Sequence, residues 1–265
     1  MRYKLTLAYD GRAFAGWQSQ PHGGSAQDAL EQALGRVLEM PRVRVHGAGR
    51  TDAGVHAHGQ VAHFEAPEGL TMNGGDWQRA LNAHLSPALR VMACHPVPAD
   101  FNAQFHALGK IYHYRICRLP ILPPLEHGLA WHAPYPMDEN LLAAVLQIFP
   151  GKHDFSAFAA NRGDGRESLP GYAVRTLWSV ESVATEGFLT LQFYGDGFLY
   201  KMVRLLVGSV MRVAFGRESL DWFTSLLTSP QSGKSHHVAP AGGLYLHRVE
   251  YPAQFMGYDD HSQIL

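Results

Sequence analysis

The alternation across residues 2–9, which sets Tyr3, Leu5, Leu7 and Tyr9 on one side, predicts an opening strand with one buried face. Ser25 followed by Asp28 is a capping-box signal. Ala29, Leu30, Ala33, Leu34, Val37 and Leu38 then form an apolar helical stripe that ends at Pro41. Residues 42–46 and 59–65 read as strands around a glycine-rich connection, 76–85 as a helix and 89–97 as a strand. The order β-α-β-β-α-β constrains the fold strongly, because the strands must share a sheet and the helices must cover it.

The same order recurs downstream. Strands are predicted at 110–118, 174–183, 188–194 and 244–251, with helices at 138–149 and 198–215 and a short extra helix at 220–227. The expected fold is α+β: two ferredoxin-like halves forming a long mixed, mainly antiparallel sheet with a central cleft. Residues 1–105 make the first domain and 106–265 the second, which completes the cleft. The Pro-rich stretch 120–136 and the polar stretch 161–171 read as loops.

With 265 residues, 46% hydrophobic, the chain can bury a substantial core. Its N-terminus, MRYKLTLAYD, lacks the apolar run of a signal peptide, and no stretch approaches the ~18 apolar residues of a membrane span, so a cytoplasmic protein without membrane association is expected. Cys94 and Cys117 suit a reducing compartment. A net charge of −1 does not advertise nucleic-acid binding. Three stretches nevertheless hold several cations and no acid: 40–51, 101–125 and 198–217. Brought together, they would make one positive face.

The segment richest in chemistry is GAGRTDAGVHAHGQVAHF, from Gly47. Gly47, Gly49, Gly54 and Gly59 frame Arg50, Thr51 and Asp52. A guanidinium beside Asp52 would favour its ionised form and fix its direction, as a nucleophile or general base requires. Local chemistry leaves open a simpler reading, an Asp that satisfies turn amides. The loop does not match the GxxxxGK[ST] phosphate cradle. His46, His56, His58 and His63 cluster nearby and raise a metal-dependent hydrolase as a rival, against which stand the absence of HExxH and the scarcity of carboxylates.

In GKIYHYRI, Tyr112 and Tyr114 share a strand face, either as stacking platforms for a nucleobase or as a core pair, with Lys110, His113 and Arg115 between and beside them. In FLYKMVRLLVGSVMRVAFGR, Phe198, Met202, Leu205, Leu206, Val210 and Val213 define an apolar stripe. Lys201 and Arg204 lie one turn apart, and Gly208 and Arg212 continue that side at intervals of four.

Six motifs in order resemble the TruA family of tRNA pseudouridine synthases: YDGRAFAGWQSQ from Tyr9, GRTDAGVHAHGQVAHF from Gly49, FNAQFHALGKIYHY from Phe101, GKHDFSAF from Gly151, GDGFLYKMVRLLVGS from Gly195 and APAGGLYL from Ala239. The resemblance covers nearly the whole chain. It implies isomerisation of uridine at positions 38, 39 and 40 of the tRNA anticodon stem-loop by a cytoplasmic homodimer, with no cofactor or metal. It also implies roles: Asp52 as catalytic aspartate, Arg50 as the basic residue before it, Tyr112 against the target base and Arg204 as the arginine paired with the aspartate. Lys110 and Lys201 are read as substrate contacts. Gln104, where the family usually has arginine, and the segment LNAHLSPALRV, lacking its usual acid, depart from the pattern. A non-catalytic tRNA-binding or folding protein is the alternative, ahead of the hydrolase.

Overall fold

The structure is a computed structural model that describes residues 1–161, 163, 165 and 169–256. The stretch 161–171, read above as a loop, therefore lies partly outside the described residues. In chain order the strands and helices are β1 (Arg2–Tyr9), α1 (Ala26–Leu38), β2 (Val45–Gly47), β3 (His56–Glu65), α2 (Gly74–His84), β4 (Leu89–Val97), β5 (Gly109–Cys117), β6 (Trp131–His132), α3 (Glu139–Leu146), β7 (Gly151–Asp154), β8 (Val174–Thr185), β9 (Phe188–Gly195), α4 (Met202–Ala214), α5 (Leu220–Thr228) and β10 (Leu244–Glu250). The fold is α+β. The chain forms two compact units, Met1–Gly109 with Tyr245–Leu265, and Lys110–Leu244.

In the first unit β1 pairs antiparallel with both β4 and β3, and β2 pairs antiparallel with the far end of β3. That is the β4-β1-β3-β2 order of a split β-α-β repeat. β2 is short, pairing only with Ala62 to Phe64, and β10 adds in parallel at the other end of β3, setting Tyr245 against His56. Ser25 and Asp28 form the capping box expected for α1, which ends where Glu39 turns left-handed. α2 opens with a second box, Asn73 with Asp76. Trp77 of α2 is fully buried, its ring 5.0 Å from Phe64 and 5.5 Å from Tyr3. The opposite face of β1 is covered as well: Lys4, only 2% exposed, donates to Phe255 O at 2.7 Å.

In the second unit β5, β9, β8 and β7 follow one another antiparallel, with β6 parallel to β5. α3, α4 and α5 pack together. Phe223 of α5 meets Phe149 and Phe158 with ring centroids 5.2 and 5.5 Å apart, and Phe149 reaches Phe193 of β9 at 6.1 Å. Gly208 lies in the buried face of α4, where a Cβ would overlap the His237 carbonyl. It belongs to a close helix approach rather than to the basic side of α4 that its spacing suggested. α4 also starts later than the apolar stripe predicts, because Lys201 takes a left-handed conformation, φ 59°.

Candidate active site

Asp52 sits in the segment between β2 and β3, whose backbone is held from several sides. Ala48 N donates to Val61 O at 2.7 Å, Gln60 Nε2 to Gly49 O at 2.9 Å, and Trp17 N to Thr51 O at 3.1 Å. Val55 N donates to Asp52 O at 3.1 Å, closing a turn in which Gly54 has φ 78°. That left-handed value suits glycine and explains why one stands two residues after the aspartate.

The floor of this segment is the motif beginning at Tyr9. The Tyr9 hydroxyl and Thr51 Oγ1 are 2.8 Å apart, both buried. Burial pushes the Tyr9 phenol up to about 12, against the opposing hydrogen bonds of Thr51 and Gln60, so it stays neutral at physiological pH. Gly47 lies against the Trp17 indole, and a Cβ on Gly16 would stand 2.7 Å from Thr51 O. With its backbone so fixed, the loop leaves the Asp52 side chain half-buried and Arg50 exposed. The roles of Tyr9, Trp17 and Gln60 were not visible in the sequence. Gly47 was singled out in the sequence, but not the Trp17 ring that it meets, and Gly16 gave no signal of its approach to Thr51.

The histidines divide among other tasks. His56 Nδ1 accepts from Gly11 N at 3.1 Å, and its ring stacks on Tyr245 at 4.7 Å. His63 Nδ1 accepts from Ala103 N at 3.1 Å, while His46 stacks on its ring at 5.1 Å. His58 and His247 face each other, Nδ1 to Nδ1, at 3.5 Å. Among the described residues no group of three or more His, Cys, Asp and Glu is placed to hold a metal ion.

The second unit carries the remaining predicted residues. Tyr112 lies on β5 opposite Phe193, buried, with its ring edge against Phe198 at 4.9 Å. Tyr114 is fully buried and donates to Pro240 O at 2.8 Å, which makes it a core residue. Lys110 is the second residue of the same strand, opposite Gly195, its ammonium pushed down to about 8 by burial and by the charge of Arg175. Arg175, which lies in none of the motifs singled out above, projects beside Gly197 and donates to Tyr172 O at 2.8 Å. Lys201 stands at the N-terminus of α4, its Nζ 5.2 Å above the Tyr200 ring. Arg204, one turn on, donates from Nε to Ala239 O at 2.8 Å and accepts from Ala239 N at 3.0 Å. Arg204 and Tyr114 thus grip neighbouring residues of one segment, 239–240.

Stretches free of acid in sequence are not free of it in space. Arg42 pairs with Glu31 at 2.8 Å, Arg115 with Glu126 at 3.1 Å and Arg212 with Glu218 at 3.1 Å. Arg217 lies over the Tyr135 ring at 4.6 Å. Four of the cations that suggested a positive face are therefore engaged locally.

Residues 6–106 and 145–252 match the tRNA pseudouridine synthase family. The chain belongs to that family. A tRNA pseudouridine synthase A of Akkermansia muciniphila is 43% identical over 258 residues, 97% of each chain. The enzymes so named in Methylacidiphilum infernorum and Geobacillus kaustophilus are 40% and 38% identical, covering 94% of this chain and 95% and 94% of their own. Pseudouridine synthases are isomerases and this family acts on tRNA, so both the reaction and the RNA substrate follow from membership. Among the described residues no helix is long and apolar enough to cross a membrane.

Proposed function

We propose that this synthase converts uridine to pseudouridine at positions 38, 39 and 40 of the anticodon stem-loop, as a cytoplasmic homodimer, with Asp52 as its catalytic carboxylate. The N1–C1′ glycosidic bond breaks and a C5–C1′ bond forms. The C5 proton leaves, N1 gains one, and no electrons are exchanged. Asp52 either attacks C1′ or removes a ribose proton on the way to a glycal. Arg50 and Arg204 hold its negative charge, and Tyr112 lies against the freed base as it turns. Lys110 and Lys201 contact phosphates of the flipped-out nucleotide and its neighbours.

The observation that carries the assignment is the Asp52 loop: its backbone is tied down at Gly49, Thr51 and Asp52 itself, while the carboxylate stays half-buried. An anion held in one pose is what either route needs. Incubating unmodified tRNA with the purified protein and no added cofactor, then mapping pseudouridine, tests the reading. Product in the anticodon stem-loop with wild type and none with Asp52→Asn supports it. Product elsewhere in the tRNA overturns the stem-loop assignment, and turnover by Asp52→Asn overturns the role of the aspartate.

A further inference from the structure

We infer that Tyr9 and Thr51 are positioning residues that set the direction of the Asp52 carboxylate through the buried hydrogen bond between their hydroxyls. The inference rests on the catalytic reading of Asp52. Tyr9 ends β1 and Thr51 lies 42 residues on, yet their oxygens are 2.8 Å apart and both side chains are less than a tenth exposed. Around them lie the Trp17 ring, stacked on Tyr9 at 6.2 Å, the Phe14 ring, edge-on at 6.1 Å, and the buried Gln60 side chain.

A buried polar pair in such a place contributes direction more than stability. Thr51 has both ends fixed: its carbonyl accepts from Trp17 N at 3.1 Å and its hydroxyl meets Tyr9. Those two points constrain the peptide leading into Asp52. Gln60 extends the fixation backwards. It lies against Tyr9, whose phenol it helps to hold down, and donates to Gly49 O at 2.9 Å, so buried polar contacts reach from residue 49 to 51. The Tyr9 phenol keeps its proton at every working pH, because burial holds it near 12. The hydroxyl pair therefore carries no charge beside the Asp52 loop.

The test is single-turnover and steady-state kinetics on tRNA for Tyr9→Phe, Thr51→Val, Thr51→Ser and the double variant, beside Asp52→Asn. Tyr9→Phe and Thr51→Val each delete one hydroxyl at nearly constant shape, and are expected to lower kcat about tenfold with KM for tRNA within about twofold. Thr51→Ser, which keeps the hydroxyl, restores most of kcat. The double variant falls little below either single one, because both remove the same bond. A kcat within twofold of wild type for both single variants overturns the inference, as does a rise in KM at unchanged kcat, or failure of Thr51→Ser to restore activity lost in Thr51→Val. Should Thr51→Val not fold, the Tyr9→Phe and Thr51→Ser rates decide it. An inactive Asp52→Asn beside a fully active Tyr9→Phe rejects the positioning role alone, whereas turnover by Asp52→Asn rejects the catalytic reading.

Discussion

Glu31 and Arg42 form an ion pair in which one carboxylate oxygen, Oε2, accepts from both Nε and Nη2 of the guanidinium at 2.8 Å. The other oxygen accepts from Gln27 Nε2 at 3.0 Å and from Val45 N at 3.1 Å, so the carboxylate, 5% exposed, ties α1 to the start of β2. Arg42 is largely exposed and contributes modestly. The buried N–H groups of Gln27 and Val45 are what Glu31 mainly satisfies.

Glu31→Ala is therefore expected to cost about 2 kcal/mol, because it leaves the Val45 N–H without its acceptor and Gln27 Nε2 with Val45 O alone, which lowers the unfolding temperature by roughly 4–8 °C. Glu31→Gln keeps an acceptor oxygen and loses less. Calorimetric unfolding of both variants checks the order, and equal losses would contradict it.

Gly16→Ala is expected to impair both stability and turnover. Gly16 has φ 96°, and its added Cβ would lie 2.7 Å from Thr51 O and 3.2 Å from Ala53 N and Asp52 C. Backbone in that conformation strains any L side chain by about 1–3 kcal/mol, and here the obstacle is the backbone that bears the aspartate. The measurement is kcat at a temperature where the variant remains folded. Wild-type kcat there would show that the loop tolerates displacement.

Much of the fold was legible because local rules and packing agree. β1 occupies the residues its alternation predicts, β4 keeps the expected bounds 89–97, and α1 begins at the Ser25 and Asp28 box. What was hidden lies where tertiary contacts override local pattern. β7 is four residues, GKHD, with no alternation to mark it, and it exists because β8 offers an edge from Val174 to Leu177. β3 begins at His56 rather than 59, where β10 pairs with it. Lys4, charged and expected in water, is roofed by the turn at Phe255, 251 residues away. At the site, the residue types around Asp52 were readable, but their supports were not, since Tyr9, Trp17 and Thr51 meet only through folding.

Tyr112 and Tyr114 share a strand face, and the structure separates them. Tyr114→Phe deletes a buried donor to Pro240 O, so it is expected to cost about 1 kcal/mol of stability while leaving kcat within about twofold. On the proposed role of Tyr112 against the target base, Tyr112→Ala is expected to lower kcat about 100-fold or more. Pseudouridine formation and thermal unfolding measured on both variants test the contrast. The reverse ranking would assign the base contact to the wrong tyrosine.

Acid should weaken the first unit through His63. Burial lowers its imidazole from 6.5 to about 4, with smaller contributions in the same direction from His46 and Arg2 and an opposing one from Glu65. Facing it are the stacked His46 ring, the edge of Phe101 at 5.8 Å and the Ala103 N–H, which needs Nδ1 unprotonated. Between pH 6.5 and 4 the unfolded chain binds a proton here that the folded protein refuses, so stability is full above about 6.5 and falls as pH drops towards 4. The expected loss is on the order of 3 kcal/mol. His63→Asn can offer Oδ1 to the Ala103 N–H without titrating. Denaturant unfolding at several pH values should show the variant less stable at pH 7.5 but with a flatter profile between 6.5 and 4. A slope as steep as wild type's would place the acid sensitivity on other groups.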